Sequence, residues 1–452
     1  VEAQDAMAQA RKVVFVCCDG LSRSWISDER TPGLARMKRE GGWFDRHRAV
    51  FPSVTRVSAA TIATGCLPVR HGLHGNRMGL CEAGRVVVRD VGAPDFREHM
   101  RRATGQTLKM PTLAQRVAHL GRAVAFSNVS PGAAYFLDPE HFGYVYHRAG
   151  SYGPGGVREA GTAHLDVTHD VGGDLAMTRR FCNEVLMQRK PPVAMLWLAN
   201  PDLTLHGAPL GGPDHLAAMR SIDGYVQMVV RTVERLRETG EDILLLVGSD
   251  HGQETIGETV DLEAHLSSRG CERELAQGDI AVASQGTAAL LYATGRARSK
   301  LESMLAELAA MPWAESVISG ESLIDVGLPH DEEIVAAINM GVMNAANEFG
   351  VPGRRWIAAE PGKSPRVGDG QHGGWGGEET SPFLVVDYPG LEAGPVSART
   401  HLADIAPTAL TFLGLPVDGV DGRSLIAMNR DGAIGLASCL DSADVQPILE
   451  GS

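Results

Sequence analysis

Residues 243–252 read ILLLVGSDHG. An unbroken apolar run of this length is apolar on both faces, which suits a strand buried in the middle of a parallel sheet. The run stops in Ser249-Asp250-His251-Gly252, a polar turn whose Asp and His can both bind a cation. Similar runs recur at 13–17 (VVFVC), 122–126 (RAVAF), 193–199 (VAMLWLA) and 382–387 (PFLVVD). Helical patterns lie between them, at 31–41, 58–65, 113–121, 214–238 and 403–414. Strand then helix, repeated, predicts an α/β sandwich with a mostly parallel central sheet.

In such a sheet the ligand lies beyond the carboxyl ends of the strands. Three runs end there in an aspartate. The run at 13–17 leads to Asp19-Gly20, that at 193–199 to Asn200-Pro201-Asp202, and that at 243–248 to Asp250-His251. His206 follows Asp202 by four residues, so one helical turn would aim both at the same ion. His372, in GQHGGWG (370–376), completes the candidates. Taken singly, Asp19 reads more readily as a turn residue than as a ligand, and His372 as a residue of a Gly-rich loop. Jointly, Asp19, Asp202, His206, Asp250, His251 and His372 make more ligands than one four-coordinate ion needs. The expectation is two divalent ions, zinc by the mixture of Asp and His, with manganese or iron as alternatives. Three carboxylates against two divalent ions leave the site with a net charge of about +1, enough to attract a phosphoester.

The chain has 452 residues, 44% hydrophobic and 21% charged, with a formal net charge of −13. That size calls for a large domain with an insertion, or two domains. The acidic balance argues against stable nucleic-acid binding. No apolar run reaches the ~18 residues of a membrane span. The seven cysteines are scattered without a C-x-x-C pair, which points to reduced thiols and a cytoplasmic setting. Val1 in place of Met leaves room for a trimmed leader. Residues 259–367 carry a β-α-β-like pattern of their own (280–293, 298–311, 315–320) and interrupt the core before 382–387. The expected division is a discontinuous α/β core, 10–258 and 368–430, a smaller α+β cap at 259–367 near the site, and a weakly patterned tail at 431–452. Residues 77–110 and 127–172 read as long loops over the same rim.

Upstream of the Cys66-Leu67-Pro68-Val69-Arg70 stretch, Thr55 opens a helical pattern in FPSVTRVSAATIATG (51–65). A hydroxyl at a helix N-terminus faces free N–H groups and the positive dipole end, which favour an alkoxide and a bound phosphate. The plainer reading of Thr55 is a helix cap. Arg56 is expected to point away along the helix.

The motifs Asp19-Gly20, TPGLARM (31–37), FPSVT (51–55), ATGCLPVRHGLHGN (63–76), NPD-x-x-x-H (200–206), SDHG (249–252), QHGG (371–374) and DIAPTALTFLG (404–414) stand in one order along the chain. Together they resemble the alkaline phosphatase superfamily, and within it the nucleotide pyrophosphatase/phosphodiesterase and phosphonoacetate hydrolase branches. The resemblance implies one ion held by Asp202, His206 and His372, and another held by Asp19, Asp250, His251 and the Thr55 oxygen. It implies Thr55 as a nucleophile forming a covalent phospho-threonine, with Asn76 holding a phosphoryl oxygen beside the Thr55 N–H. The stretch 66–70 also fits C-x-P-x-R, the sulfatase signature for a modified cysteine. In sulfatases, however, that cysteine starts the helix, the place taken here by Thr55, so the match is read as coincidental. Two departures stand out: Leu205 where phosphodiesterases commonly carry Gly, and Ser127-Asn128-Val129-Ser130 where phosphonoacetate hydrolases carry lysines. The expected function is a two-metal hydrolase of a small phosphoester. The alternatives are C–P cleavage of a phosphonate, which would need a rim cation such as Lys109, and a non-catalytic metal- or phosphate-binding protein. A phosphomutase would ordinarily use Ser in place of Thr55. Oligomeric state is not legible.

Overall fold

The computed structural model describes residues 11–330, 333–429 and 433–437. Its centre is an eight-stranded sheet built from β1 (Arg11–Cys18), β2 (Gly42–Arg48), β3 (Val124–Ser127), β4 (Tyr144–Tyr146), β5 (Val193–Leu198), β6 (Asp242–Gly248), β7 (Leu384–Asp387) and β8 (Gly394–His401). The strand order is β8-β2-β7-β6-β1-β5-β3-β4. From β6 to β4 every pairing is parallel. The strand at 384–387, expected to be parallel, instead runs antiparallel to both β6 and β2. It is an apolar run buried on both faces, and that pattern carries no information on direction.

Side chains alternate across the sheet as the strand period of two requires. Val13, Phe15 and Cys17 of β1 join one core with Trp197, Leu244 and Leu246. Val14, Val16 and Cys18 join the opposite core with Leu196, Leu245 and Val247. Helices α2 (Thr55–Thr64) and α4 (Ile405–Phe412) cover the first face. Helices α1 (Pro32–Glu40) and α3 (Pro213–Glu238) cover the second. α3 turns Met219, Ile222, Val226, Val229, Val230 and Val233 inward at three- and four-residue steps, while Arg231, Glu234 and Arg235 lie outside the buried set. Each such aliphatic side chain contributes about 1.5–3 kcal/mol when fully buried. The result is a three-layer α/β/α sandwich.

The run 280–293 is not one strand but a hairpin, Ile280–Ser284 and Ala288–Ala293, turning at Gln285-Gly286-Thr287. It forms an antiparallel four-stranded sheet with Ile334–Met340 and Ala314–Ser319. Short helices at Arg298–Glu302 and Leu305–Ala309 pack beside it, with a separate cluster around Leu291, Leu301, Trp313 and Ile338. A third sheet joins Glu254–Val260 to Pro352–Ala358 and to Gly370–Gln371. None of these last strands shows the apolar run that marked the others. The helical pattern at 113–121 is helix only over Leu113–Arg116, and the stretch 127–172, read as loop, contains the edge strand β4. Most of the tail at 431–452 lies outside the described residues; Ile434–Leu436 pairs with Ile426–Met428. Among the described residues, no helix is long and apolar enough to cross a membrane.

Candidate active site

β6, β1 and β5 are neighbours, so their carboxyl ends bring Asp250, Asp19 and Asp202 to one point. The backbone locks this arrangement, with Asp202 N donating to Asp19 O at 3.1 Å. His251 Nε2 lies 3.4 Å from Asp19 Oδ1, 3.1 Å from Asp250 Oδ2 and 3.1 Å from Thr55 Oγ1. Asp202 Oδ1 lies 3.4 Å from His372 Nε2, and Asp202 Oδ2 lies 3.3 Å from His206 Nε2. The rings of His251 and His372 stack, 3.7 Å between centroids. Two compact ligand sets result, Asp19/Asp250/His251 and Asp202/His251/His372, each with its ligand atoms within 4.8 Å of one another. His251 borders both sets, and His206, with a side chain 40% exposed, stands beside Asp202 at the edge of its set.

The third sheet explains why two histidines so far apart in sequence meet. Strand 254–260 leaves the site just after His251, and strand 370–371 returns antiparallel to it just before His372. Gly373 then takes φ +131°, and a Cβ there would lie 1.6 Å from Gln285 O. Only glycine allows the hairpin turn to press on this loop.

The cluster consists largely of acceptors. A backbone carbonyl only accepts, so the contacts of His372 Nδ1 with Ser53 O (2.8 Å) and of His251 Nδ1 with Gly252 O (2.9 Å) put the ring proton on Nδ1. Each Nε2 lone pair then faces the carboxylates, an arrangement typical of metal-binding histidines. Asp19 Oδ2 accepts from Trp197 Nε1 at 3.1 Å, and Asp250 Oδ1 from Gly20 N at 3.2 Å. Their other oxygens, Asp19 Oδ1 and Asp250 Oδ2, are buried without a hydrogen-bond partner. Burial, reinforced by Asp250 and Asp202, raises the Asp19 carboxyl well above the usual range. Burial raises Asp250 too, against the opposing pull of His251. Burial also disfavours an ionised Asp202, but His206, whose own pKa the carboxylate raises in turn, does most to outweigh it and hold that carboxyl low. Burial and then His251 keep His372 neutral. Orphaned carboxylate oxygens facing imidazole lone pairs need a cation, and a divalent ion would reverse the penalties on Asp19 and Asp250. The residues fit metal ions.

Thr55 is the first residue of α2, and the N-cap is Val54. The Thr55 hydroxyl therefore does not cap the helix; it faces His251. Arg56 N donates to Asn76 Oδ1 at 3.3 Å, which brings the Asn76 amide to the helix N-terminus. Arg56 itself does not point away. Its guanidinium donates to Asp90, to Asn76 O at 2.6 Å and to Ser130 Oγ at 3.2 Å, and it lines the same cleft as Asn76, His206 and His372. Its salt-bridge partner, Asp90, lies 34 residues downstream, and no local pattern announces such a pairing. Lys109 is not on this cleft but packs against Gly72. Cys66 lies past the opposite end of α2, fully buried, with Sγ 3.5 Å from Gly419 O. Burial pushes its thiol up, and Arg70 is tied to Asp421. The C-x-P-x-R stretch thus anchors the end of α2 to the 419–421 loop, at the opposite end of the helix from Thr55.

Residues 13–348 match the family described as type I phosphodiesterase / nucleotide pyrophosphatase. The chain belongs to that family. As a member of the phosphodiesterase/nucleotide pyrophosphatase family it is a phosphoesterase-type hydrolase of the alkaline phosphatase superfamily. Its fold is similar to that of murine ectonucleotide pyrophosphatase / phosphodiesterase 5, with a TM-score of 0.63 at 17% identity, covering 91% of this chain and 97% of that one. A second structure of the murine protein, an inactive variant in complex with AMP, matches with a TM-score of 0.63 at 16% identity over the same shares, 91% and 97%. No curated protein sequence matches significantly.

In this phosphodiesterase-family chain three supporting residues escaped the sequence reading. Gln253 Nε2 donates to Asp202 Oδ1. Trp197 Nε1 fixes Asp19. Gln285 Oε1 accepts from Asn76 N at 2.7 Å while Gln285 Nε2 donates to Arg77 O at 2.6 Å. Trp197 reads as one more apolar residue of a strand. The Gln-Gly pair at 285–286 was a turn signal inside a run taken as continuous.

Proposed function

We propose that this protein is a metal-dependent phosphodiesterase that works through a covalent phospho-threonine at Thr55, with two divalent ions, zinc in the first instance, as cofactors. The observation that carries the reading is the Thr55 hydroxyl, spared from capping, 3.1 Å from His251 Nε2 at the edge of a cluster in which Asp19 Oδ1 and Asp250 Oδ2 are buried without a hydrogen-bond partner. Asp19, Asp250 and His251 would hold one ion beside Thr55. Asp202 and His372, with His206 alongside, would hold the other. Bound there, the ions would supply Lewis-acid stabilisation of negative charge on the reacting oxygens.

The chain's own groups then have defined parts. Thr55 Oγ1 attacks phosphorus in line, losing its proton to solvent as the new O–P bond forms and the bond to the leaving group breaks. The first-turn N–H groups of α2 and the Asn76 amide hold the non-bridging oxygens, where developing charge is stabilised. The leaving group departs toward Asp202, His206 and His372. Water enters from that vacated side and cleaves the phospho-threonine, so configuration at phosphorus is retained overall. A site charge of about +1 suits a singly charged diester better than a monoester dianion. Arg56 does not alter this balance, because Asp90 neutralises it.

The test is Thr55→Ala on zinc-loaded protein, assayed with bis-p-nitrophenyl phosphate, p-nitrophenyl phosphate and phosphonoacetate. Turnover should fall by at least roughly a thousandfold, as for loss of a covalent nucleophile, with metal content retained. Acid-quenched wild type should carry phosphate on Thr55 by mass spectrometry, and Cys66→Ser should be near neutral. Full activity in Thr55→Ala sinks the mechanism; phosphate release from phosphonoacetate alone moves the assignment to C–P cleavage.

A further inference from the structure

One cleft of about 360 Å3 holds His206, His372 and Asn76 together with Arg77, Glu360 and Lys363. Its size is that of a small-molecule site. Among its described lining residues there is no Phe, Tyr or Trp, and the only sizeable apolar side chains are Ile256 and Pro365. A purine or pyrimidine would normally be gripped through its π face by an aromatic ring, and this cleft offers none besides the two imidazoles committed to the ligand sets.

What the cleft offers in place of rings is charge. Arg56 is spent on Asp90, Asn76 O and Ser130. Arg77 and Lys363 are different. Both lean on one carboxylate, Glu360, with Arg77 Nη1 at 3.5 Å and Lys363 Nζ at 2.8 Å. Within ion-pair distance two cations face one anion at this wall, with Glu263 acting on Arg77 only from farther off. Arg77 adjoins Asn76 in sequence, and Gln285 holds the backbone of both residues, accepting from Asn76 N and donating to Arg77 O. The backbone positions from which the Asn76 amide and the Arg77 side chain extend are therefore set by the fold.

We propose that Arg77 and Lys363 select substrates whose non-phosphoryl end carries a second anionic group, a carboxylate or a phosphate, in place of a nucleobase. The inference rests on the phosphodiesterase reading above. The incoming anion takes the place of Glu360 between the two cations, adding fork-shaped hydrogen bonds from Arg77. Glu360 acts as a built-in competitor, so its removal should strengthen recognition.

The test uses p-nitrophenyl phosphodiesters that share one leaving group and differ in the second alcohol: ethyl, 2-carboxyethyl, 2-phosphoethyl, choline or thymidine. With zinc-loaded wild type, kcat/KM for the better of the carboxylate and phosphate esters should exceed that of the ethyl, choline and thymidine esters at least tenfold, and the two anionic arms identify which anion is preferred. The ratio to the ethyl ester should fall below threefold in Arg77→Ala/Lys363→Ala and in the single variant Lys363→Glu, and should rise in Glu360→Gln. Lys363 is exposed, so its variant is expected to fold. Calorimetric titration of the same esters into Thr55→Ala should give the same order in Kd. A thymidine or choline preference, or a ratio that survives both charge variants, overturns the proposal while leaving the phosphodiesterase reading intact. Selective binding by Thr55→Ala without turnover of any ester by wild type leaves the anion site standing and overturns the phosphodiesterase reading. Equal Kd values together with no turnover overturn both.

Discussion

Glu254→Gln should make the protein more stable at pH 8 while changing little at pH 5. Glu254 lies three residues past His251, at the start of the strand that pairs with 370–371. It shares one guanidinium with another buried acid: Arg355 Nε is 3.8 Å from Glu254 Oε1 and 3.8 Å from Glu379 Oε1, while its Nη1 is bound to Glu315 at 2.7 Å. Burial, and next the charge of Glu379, push the Glu254 carboxyl from 4.5 up to about 7. A carboxyl raised in the folded state binds its proton more tightly there than in the unfolded chain. Its contribution to stability is therefore fully present below pH ~4.5, declines as pH rises, and is lost above pH ~7. The span from 4.5 to about 7 corresponds to on the order of 3 kcal/mol. Glutamine imitates the protonated acid, and its oxygen can still accept from Glu378 N, which reaches Glu254 Oε1 at 3.1 Å. Urea unfolding of wild type and variant at pH 5, 6, 7 and 8, with equal zinc in all samples, gives the difference in unfolding free energy at each pH. That difference should grow in favour of the variant by up to about 3 kcal/mol across the series. Parallel curves, with no change in the difference between pH 5 and 8, would show that Glu254 is ionised in the folded protein, and the reasoning would fail.

Purified protein should carry about two divalent ions per chain, and removing them with a chelator should abolish turnover and lower Tm; fully active protein with one ion or none by elemental analysis refutes the paired-ion site. Trp197→Phe strips Asp19 Oδ2 of its hydrogen bond and should weaken zinc binding by roughly 10–100-fold in a chelator competition, as for other outer partners of ligands; unchanged affinity would show that the indole only packs. Gly373→Ala drives a methyl into Gln285 O and must displace the loop bearing His372, so kcat/KM should drop by roughly a hundredfold; wild-type kinetics would show that the loop yields without moving the histidine.

Much of the core was legible because the buried parallel strands leave long apolar runs, and because the polar residues ending three of those runs fall together at one edge of the sheet. Asp19, Asp202, Asp250 and His251 needed only that logic. His372 was less legible: it arrives on a two-residue strand with no hydrophobic signature, and its place beside His251 comes from pairing with a strand, 254–260, whose sequence ETIGETV alternates too weakly to read. The direction of β7 was lost for a related reason, since a strand covered on both faces looks the same whichever way it runs. Arg56, Gln285 and Gln253 were hidden because their parts depend on contacts between residues distant in sequence. The His251 ring bordering both ligand sets is likewise a fact of packing, which no spacing encodes.

The pairing of Thr255 with Gly370 and of Glu254 with Gln371 also has a bearing on how the chain can change over generations. Everything between leaves and re-enters through one narrow antiparallel stem, with its two ends about 5 Å apart. Closing a loop already roughly a hundred residues long becomes only about 0.6 kcal/mol harder when its length doubles. Additions and deletions beyond the stem are therefore almost free in chain entropy, provided that the hairpin carrying Gln285 still reaches the loop at Gly373. The reactive centre can stay fixed while the excursion above it is rebuilt, and the wall bearing Glu360 and Lys363 is part of what such rebuilding would exchange.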